Sequence, residues 1–379
     1  MTLALQDPAL YRLLLVLSVG VAFAVYTRLH LVGGGSVSGG YLAILVVTAD
    51  WSTLLGTVLV TAITVAIMRG ALLRVLGIPR SWQFALSVLV GALVTTGLAA
   101  LVPTTISLGS PFLLSISFGA FVIPGMLAYD ISHQGFPRTM LALALVGGAT
   151  LAICVPTFLV LQGLPTATEA GIPLVRGIPE SLLPYAVIAV ILIGAALRFT
   201  FGLRSGGFIG ALFIVEFFTA SAFLAVGLAS VTTHAILWLL DKRVVFTPRQ
   251  QSMVALMLGA LVAWAGLYWG SAVGWLPAQE ANLYTLSPLL ATGLIAADMG
   301  RPDSGVLRAL LGTGIACVLL SAALWVTQSY GLLLGIGVLL VIAAALIPAV
   351  LALRQPWAAA ERSGRERLIA LGRVPAPPA

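Results

Sequence analysis

The feature that most constrains this chain is a series of long, uncharged apolar runs that recur from Leu10 to Leu353. As helices, such runs are long enough to cross about 30 Å of hydrocarbon, and they lack the strand alternation of an outer-membrane barrel. Only 8 % of the residues are charged, whereas about a quarter are charged in a soluble domain. We therefore predict an all-α integral membrane protein. The clearest predicted spans are Leu10–Tyr26, Phe84–Val102, Met140–Leu161, Leu183–Leu197, Met253–Trp269, Val306–Val326 and Leu332–Leu353.

The positions of the basic residues predict how the chain is oriented. It contains 19 lysines and arginines, and all but Arg12 and Arg176 fall on one face when the spans are threaded in order. The positive-inside rule makes that face cytoplasmic. Topology thereby explains the net charge of +7, and nucleic acid is not predicted as a partner.

The same threading predicts the number of crossings in this multi-pass protein. Its N-terminus is expected outside and its C-terminal tail inside. About 11 to 13 helices cross or re-enter the bilayer. Two of the predicted crossings, Gly40–Ala49 and Gly207–Thr219, are too short for ordinary spans. Such helices are tolerated where protein or a cavity surrounds them.

Two sequence landmarks recur at a nearly constant offset. Gly35–Leu45, which reads GSVSGGYLAIL, reappears 167 positions later as Gly202–Leu212, which reads GLRSGGFIGAL. Ile123–Asp130 reappears 168 positions later as Ala291–Asp298. Self-similarity at a fixed offset indicates a tandem repeat. Because the corresponding basic loops fall on the same face, we predict that the two repeats are parallel.

The repeat divides the chain into five predicted segments. Two membrane repeats are joined by an extracytoplasmic linker and followed by an extra transmembrane helix and a cytoplasmic tail, which serves as a solvated anchor or docks a partner. Their predicted bounds are 1–165 for the first repeat, 166–182 for the linker, 183–328 for the second repeat, 329–353 for the extra helix and 354–379 for the tail.

The most distinctive motif lies in the first repeat. Residues 122–135 read VIPGMLAYDISHQG, in which a Pro-Gly pair precedes a small apolar run ending in alanine and a polar stretch closing with Gln-Gly. The motif resembles, without a gap, that of the poly-γ-glutamate synthesis membrane subunit, the PgsC/CapC family. Gly40-Tyr41-Leu42-Ala43 is similar to the family's Pro-Gly-Tyr-Leu-Ala, with Gly39 where proline is expected. The resemblance covers about residues 10–160.

The second repeat departs from the family pattern. It keeps Gly293, Ala296 and Asp298, but the Gln-Gly pair is lost. Members of the family usually have one unit. The second copy is therefore interpreted as a structural partner of the first, as if a symmetric dimer had been fused by a linker.

The resemblance implies a protein of the bacterial cytoplasmic membrane that works beside a cytoplasmic, Mur-ligase-like, ATP-dependent amide ligase. That ligase extends an anionic polymer, and a further small membrane or extracytoplasmic subunit can belong to the same complex. The sequence itself has one lysine, Lys242, and no Gly-x-x-x-x-Gly-Lys phosphate loop. We predict a non-catalytic or accessory subunit with no catalytic residue, metal or cofactor. Two alternatives remain open: an autonomous secondary transporter of a small anionic solute, and a scaffold for the ligase. The predicted partner or polymer contacts are Pro124, Gly125, Asp130, His133, Gln134, Gly135 and Asp298.

A path for anions is predicted where glycine-rich breaks precede the two short helices. A helix N-terminus carries partial positive charge, and arginines beside the breaks attract carboxylates. The alternative is that the glycines only permit close helix packing and the arginines only set topology. Glu216, deep in an apolar stretch, is interpreted as a proton relay, a partner of Arg204 or a neutral hydrogen-bonded group. The predicted path residues are Arg28, Gly39, Gly40, Tyr41, Arg204, Gly206, Gly207 and Glu216.

Overall fold

The computed structural model describes residues 8–35, 37–72, 80–101, 111–161, 178–179, 182–206, 210–215, 220–274, 287–301, 304–342 and 344. Within these ranges the chain forms thirteen helices and no strand, which confirms the all-α class. Most of the predicted linker and the whole of the predicted tail lie outside the described residues.

Each repeat contributes six helices in the same order. In the first repeat, α3 continues into a π-helical turn, Met68–Leu72. The helices of the first repeat are α1 (Pro8–Leu29), α2 (Ser38–Val47), α3 (Trp51–Ile67), α4 (Arg80–Leu101), α5 (Pro111–Gln134) and α6 (Phe136–Leu161). Those of the second are α7 (Leu183–Phe201), α8 (Gly210–Val215), α9 (Ala220–Asp241), α10 (Pro248–Ala272), α11 (Ser287–Met299) and α12 (Gly305–Tyr330), and α13 (Leu332–Ile342) follows them.

Five of the described helices are long and apolar enough to cross a membrane by length and composition alone. Large apolar side chains such as Leu55, Leu239 and Leu307 are exposed on the bundle surface, as expected where lipid rather than water is the solvent. The five are Trp51–Gly70, Phe136–Thr157, Leu183–Phe201, Phe223–Asp241 and Gly305–Tyr330.

Buried hydroxyl groups inside these helices bond to their own backbone. In α3 the hydroxyl of Thr57 donates to the Thr53 carbonyl at 2.8 Å, and that of Thr61 donates to the Thr57 carbonyl at 2.7 Å. The start of α3 is capped by Asp50, whose carboxylate accepts the Thr53 N–H at 3.0 Å. Internal partners of this kind let polar side chains and helix ends exist in an apolar surrounding.

The two repeats pack their fourth and fifth helices through matching glycine pairs. A Cβ at Gly91 would lie 2.8 Å from the Gly125 Cα, and a Cβ at Gly259 would lie 2.5 Å from the Gly293 Cα. Both members of the second pair lie 168 positions after those of the first. Small residues allow two backbones to approach closely where apolar lipid provides no hydrophobic drive for association. The repeat seen in sequence is therefore a repeat of packing.

The repeats contact each other reciprocally. Helix α1 packs against α10 and α7 packs against α4, so the first helix of each repeat meets the fourth helix of the other. Gln250 donates to the Thr27 hydroxyl at 3.3 Å, and the matching contact is a stack of Trp82 on Phe199 with ring centroids 3.4 Å apart. Reciprocal contacts of this kind define an isologous, dimer-like interface. The arrangement agrees with the predicted parallel, tandem repeats.

The orientation of this bundle can be tested by cysteine labelling. In intact cells we expect a membrane-impermeant maleimide to modify Thr168→Cys and to spare Val245→Cys, although the Val245 side chain is 96 % exposed. The native thiols, Cys154 and Cys317, are buried and give little background. Permeabilised cells serve as the control in which Val245→Cys must react. Labelling of Val245→Cys in intact cells would reverse the predicted orientation.

Candidate functional site

The two motifs singled out in the first repeat lie against each other. The glycine-rich break between α1 and α2 is held by the end of α5, where one carboxylate oxygen of Asp130 accepts the N–H groups of Gly34 at 2.8 Å and Gly35 at 3.2 Å. Asp130 is only 4 % exposed. A buried carboxylate needs such donors, so Asp130 and the break stabilise each other.

Gln134 makes a second attachment to the same break. Its side-chain amide bonds to both backbone groups of Val32, donating to the carbonyl and accepting the N–H, the latter at 3.2 Å. It also donates to the Thr139 hydroxyl at 3.0 Å, across the corner between α5 and α6 where Gly135 lies. The polar part of the long motif therefore fixes the path of the break.

The second repeat completes this cluster. Arg249, near the start of α10, reaches Asp130 with a nitrogen–oxygen distance of 3.4 Å and lies over the Tyr26 ring. Arg69, in the π-helical turn after α3, donates to the Ile131 carbonyl at 2.6 Å. We call this end of the bundle, where α1, α5, α7 and α11 finish and α4 and α10 begin, the basic end. The ion pair between Arg249 and Asp130 joins the two repeats there.

The glycines that start the short helices have matching surroundings. Gly34 and Gly206 have φ values of +68° and +67°, and each lies four positions before its short helix begins. A Cβ at Gly34 would overlap Leu127, and a Cβ at Gly206 would lie 2.9 Å from Ile295, the residue 168 positions after Leu127. Left-handed backbone together with this close approach requires glycine. The contacts thus pair Gly206 with Gly34, at an offset of 172, and not with Gly39.

Gly39 and Gly40 lie at helix contacts in the first turn of α2. A Cβ at Gly39 would lie 2.5 Å from the Val146 side chain of α6, and one at Gly40 would overlap Ser18 of α1. Tyr41, the next residue, is buried. These positions serve close packing; their part in an anion path stays a prediction.

In the second repeat, two arginines approach the equivalent aspartate. Asp298 is 5 % exposed, and its carboxylate lies 3.7 Å from the Arg204 guanidinium and 3.5 Å from that of Arg301. The backbone of Arg204 is held against α12, because a Cβ at Gly312 would overlap it. A cavity of about 120 Å³ opens here, lined by Phe84, Arg198, Arg204, Ser205, Asp298 and Arg301.

The remaining predicted residues are spread over the bundle. Pro124 and Gly125 lie inside α5, and Gly125 meets α4. His133 is exposed, and its Nδ1 lies 2.8 Å from the Tyr129 carbonyl oxygen. Arg28 is exposed in the last turn of α1. Gly207 and Glu216 lie outside the described residues.

Two arginines that pair with the site's aspartates were not predicted. Arg249 and Arg301 were counted only as markers of topology, yet each approaches an aspartate that ends a motif. The recurrence of that aspartate 168 positions apart was the available signal, because a buried carboxylate requires a cationic or N–H partner nearby. It could not indicate which of the many arginines supplies one.

Comparison with known protein families decides the identity. The family described as capsule biosynthesis CapC matches residues 17–140 and again residues 189–310, which together are more than half of the chain. The chain belongs to the CapC family. The predicted resemblance and the two-unit form are confirmed, and a role in capsule biosynthesis follows from membership. No curated protein and no solved structure matches the chain.

Both aspartates of this CapC protein lie inside the family matches. Asp130 falls in the first matched region and Asp298 in the second, together with the glycine-rich break of each repeat. Helix α13 lies beyond both regions. The aspartate and the break therefore belong to the repeating CapC unit, and the assignment of α13 as an extra helix stays a prediction.

Proposed function

We propose that this CapC protein is the membrane subunit of a poly-γ-glutamate synthase and export complex, and that it works with a cytoplasmic ATP-dependent amide ligase. The observation that carries the proposal is the family match over both repeats. The chain has one lysine and no phosphate-binding loop. ATP-driven activation of a glutamate carboxylate therefore belongs to a partner.

The corner between α5 and α6 is the surface proposed to receive the ligase. His133, Phe136 and Arg138 are exposed around it, and the Phe136 side chain keeps 59 % of its surface accessible. Beneath them Gln134 and Asp130 hold the break rigidly. Aromatic residues and arginine are enriched in the cores of protein–protein interfaces. The basic end also suits the orientation that the charges predict, with this surface in the cytoplasm.

Anion guidance is the second part of the proposal. The basic end carries Arg28, Arg204 and Arg249 near the breaks. Positive potential over the basic end raises the local concentration of an anionic polymer there. The polymer made at the ligase would thus meet the membrane subunit at the end where it is synthesised.

The ligase contact can be tested by co-purification. We expect the double change His133→Ala and Phe136→Ala to lower the ligase recovered with tagged CapC by about tenfold or more, while the amount of CapC in the membrane stays the same. Polymer output should fall with it. These two positions are cleaner probes than Gln134, whose amide also holds Val32.

Trp325→Ala provides the matched control, because Trp325 is an equally exposed aromatic residue far along α12. Unchanged ligase recovery with the double variant would contradict the proposed surface. Vesicles containing purified CapC alone that accumulate a small anionic solute would instead favour the transporter.

A further inference from the structure

The two aspartate sites occupy equivalent places but differ in composition. Helices α4 and α5 match α10 and α11 at an offset of 168, and the region from α1 to the first break matches the region from α7 at an offset of 172. The matching positions can be read off in order. In the first site they are occupied by Tyr26, Val32, Asp130, His133 and Arg249. In the second site, in the same order, they are occupied by Arg198, Arg204, Asp298, Arg301 and Ser81.

Positive charge is distributed differently in the two aspartate sites. In the first site, Arg249 and two backbone N–H groups bind the Asp130 carboxylate, and nearby Arg69 binds a backbone carbonyl. In the second site, the described residues that line the cavity include three arginines and one carboxylate, that of Asp298. The first site is thus an ion pair between repeats, whereas the described lining of the second carries more positive than negative charge.

The geometry of the second site suits an oxyanion. Arg204 and Arg301 both approach Asp298, within 3.7 Å and 3.5 Å, which holds their guanidinium groups on the cavity. A guanidinium has five N–H donors in a planar fork and can bind a further carboxylate bidentately. The volume of about 120 Å³ is several times the roughly 10–15 Å³ that one water molecule needs on the same measure, and it leaves space for a carboxylate group with its adjoining carbons.

We propose that the cavity of the second repeat, lined by Arg198, Arg204 and Arg301, binds a side-chain carboxylate of the γ-linked glutamyl chain. This assignment rests on the proposed function for the identity of the polymer. The site lies where the second repeat meets the first, since Phe84 of α4 forms one wall. A bound carboxylate would hold the nascent chain at the basic end while the ligase adds the next residue. The first repeat, whose equivalent carboxylate is bound by Arg249, has a structural role.

The proposal can be tested with the purified full-length chain in discs of zwitterionic lipid. Calorimetric titration with a short γ-linked glutamate oligomer should show binding, and the same oligomer with its side-chain carboxylates amidated should not bind. Arg301→Gln should weaken the affinity about tenfold or more, because charged hydrogen bonds are lost. Arg198→Tyr, which copies the residue of the first repeat, should have a similar effect.

Arg243→Gln is the matched control, because Arg243 is an exposed arginine in the loop after α9 and lies outside the cavity lining. The affinity of the Arg243→Gln protein for the oligomer should stay within about threefold of the wild-type affinity. Equal affinity in the Arg301→Gln and wild-type proteins, or absence of oligomer binding, would overturn the proposal. Occupancy by inorganic phosphate or phosphatidylglycerol that excludes the oligomer would also overturn it, in favour of a lipid headgroup site.

Ligase co-purification separates this inference from the proposed function. If the protein binds the oligomer through these arginines but recovers no ligase, the carboxylate site is supported and the proposed complex is contradicted. The oligomer affinity could instead be unchanged by substitution of Arg198 and Arg301 while ligase recovery and polymer output persist. That result would contradict the binding site in the cavity and leave the proposed complex standing.

Discussion

Gly125→Val is expected to prevent the protein from accumulating in a folded form. A Cβ at this position would lie 2.5 Å from both the Ser87 carbonyl oxygen and the Val88 Cα of α4. Since backbone atoms cannot rotate away, the helices must separate and lose the contacts that join them. Overpacking of a core costs about 1–3 kcal/mol when side chains can adjust, and we expect at least the upper figure here. The yield of monodisperse protein in detergent and the midpoint of its thermal unfolding are the measurements that check this prediction.

The chain supplies both a replicate and a control for this prediction. Gly293→Val should act similarly, because a Cβ there would lie 2.5 Å from the Leu256 Cα of α10. Gly97→Val, on the exposed side of α4, should be tolerated, since no other atom lies within 4 Å of the added Cβ. Folded Gly125→Val protein with a wild-type midpoint would show that the two helices do not depend on this close approach.

The general architecture could be predicted because it depends on signals that one sequence carries. Scarcity of charge indicated the membrane, and the recurrence of Ile123–Asp130 as Ala291–Asp298 indicated a repeat that the packing of α4 on α5 and α10 on α11 reproduces. Gly91 and Gly259, which also recur at an offset of 168, complete those contacts and were not among the predicted landmarks.

The alignment of the two glycine-rich breaks could not be predicted from residue identity alone. The Ser-Gly-Gly identity pairs Gly39 with Gly206, whereas the backbone pairs Gly34 with Gly206, because the left-handed residue must lie four positions before each short helix. Side-chain partners were equally hidden. Arg249 and Asp130 are 119 positions apart, and only the docking of one repeat on the other brings them together.

The Asp130 carboxylate is expected to be the most sensitive polar group of the first repeat. In Asp130→Ala, the N–H groups of Gly34 and Gly35 lose their acceptor and Arg249 loses its partner. Each buried donor left unsatisfied costs about 1–3 kcal/mol. The charge on Arg249, whose side chain is 41 % exposed, adds less because solvent screens it. We expect a loss of about 3 kcal/mol or more, together with less folded protein.

A double-mutant cycle separates these two contributions. Asp130→Asn keeps an oxygen that can accept the Gly34 and Gly35 N–H groups but removes the charge, so its loss of stability should be smaller than that of Asp130→Ala. Arg249→Gln should be milder still, because Asp130 keeps both backbone donors. If the ion pair joins the repeats, adding Arg249→Gln to Asp130→Asn should cost little more than Asp130→Asn alone. Strictly additive midpoints would show that the two side chains act independently, and Asp130 would then stabilise only the break of its own repeat.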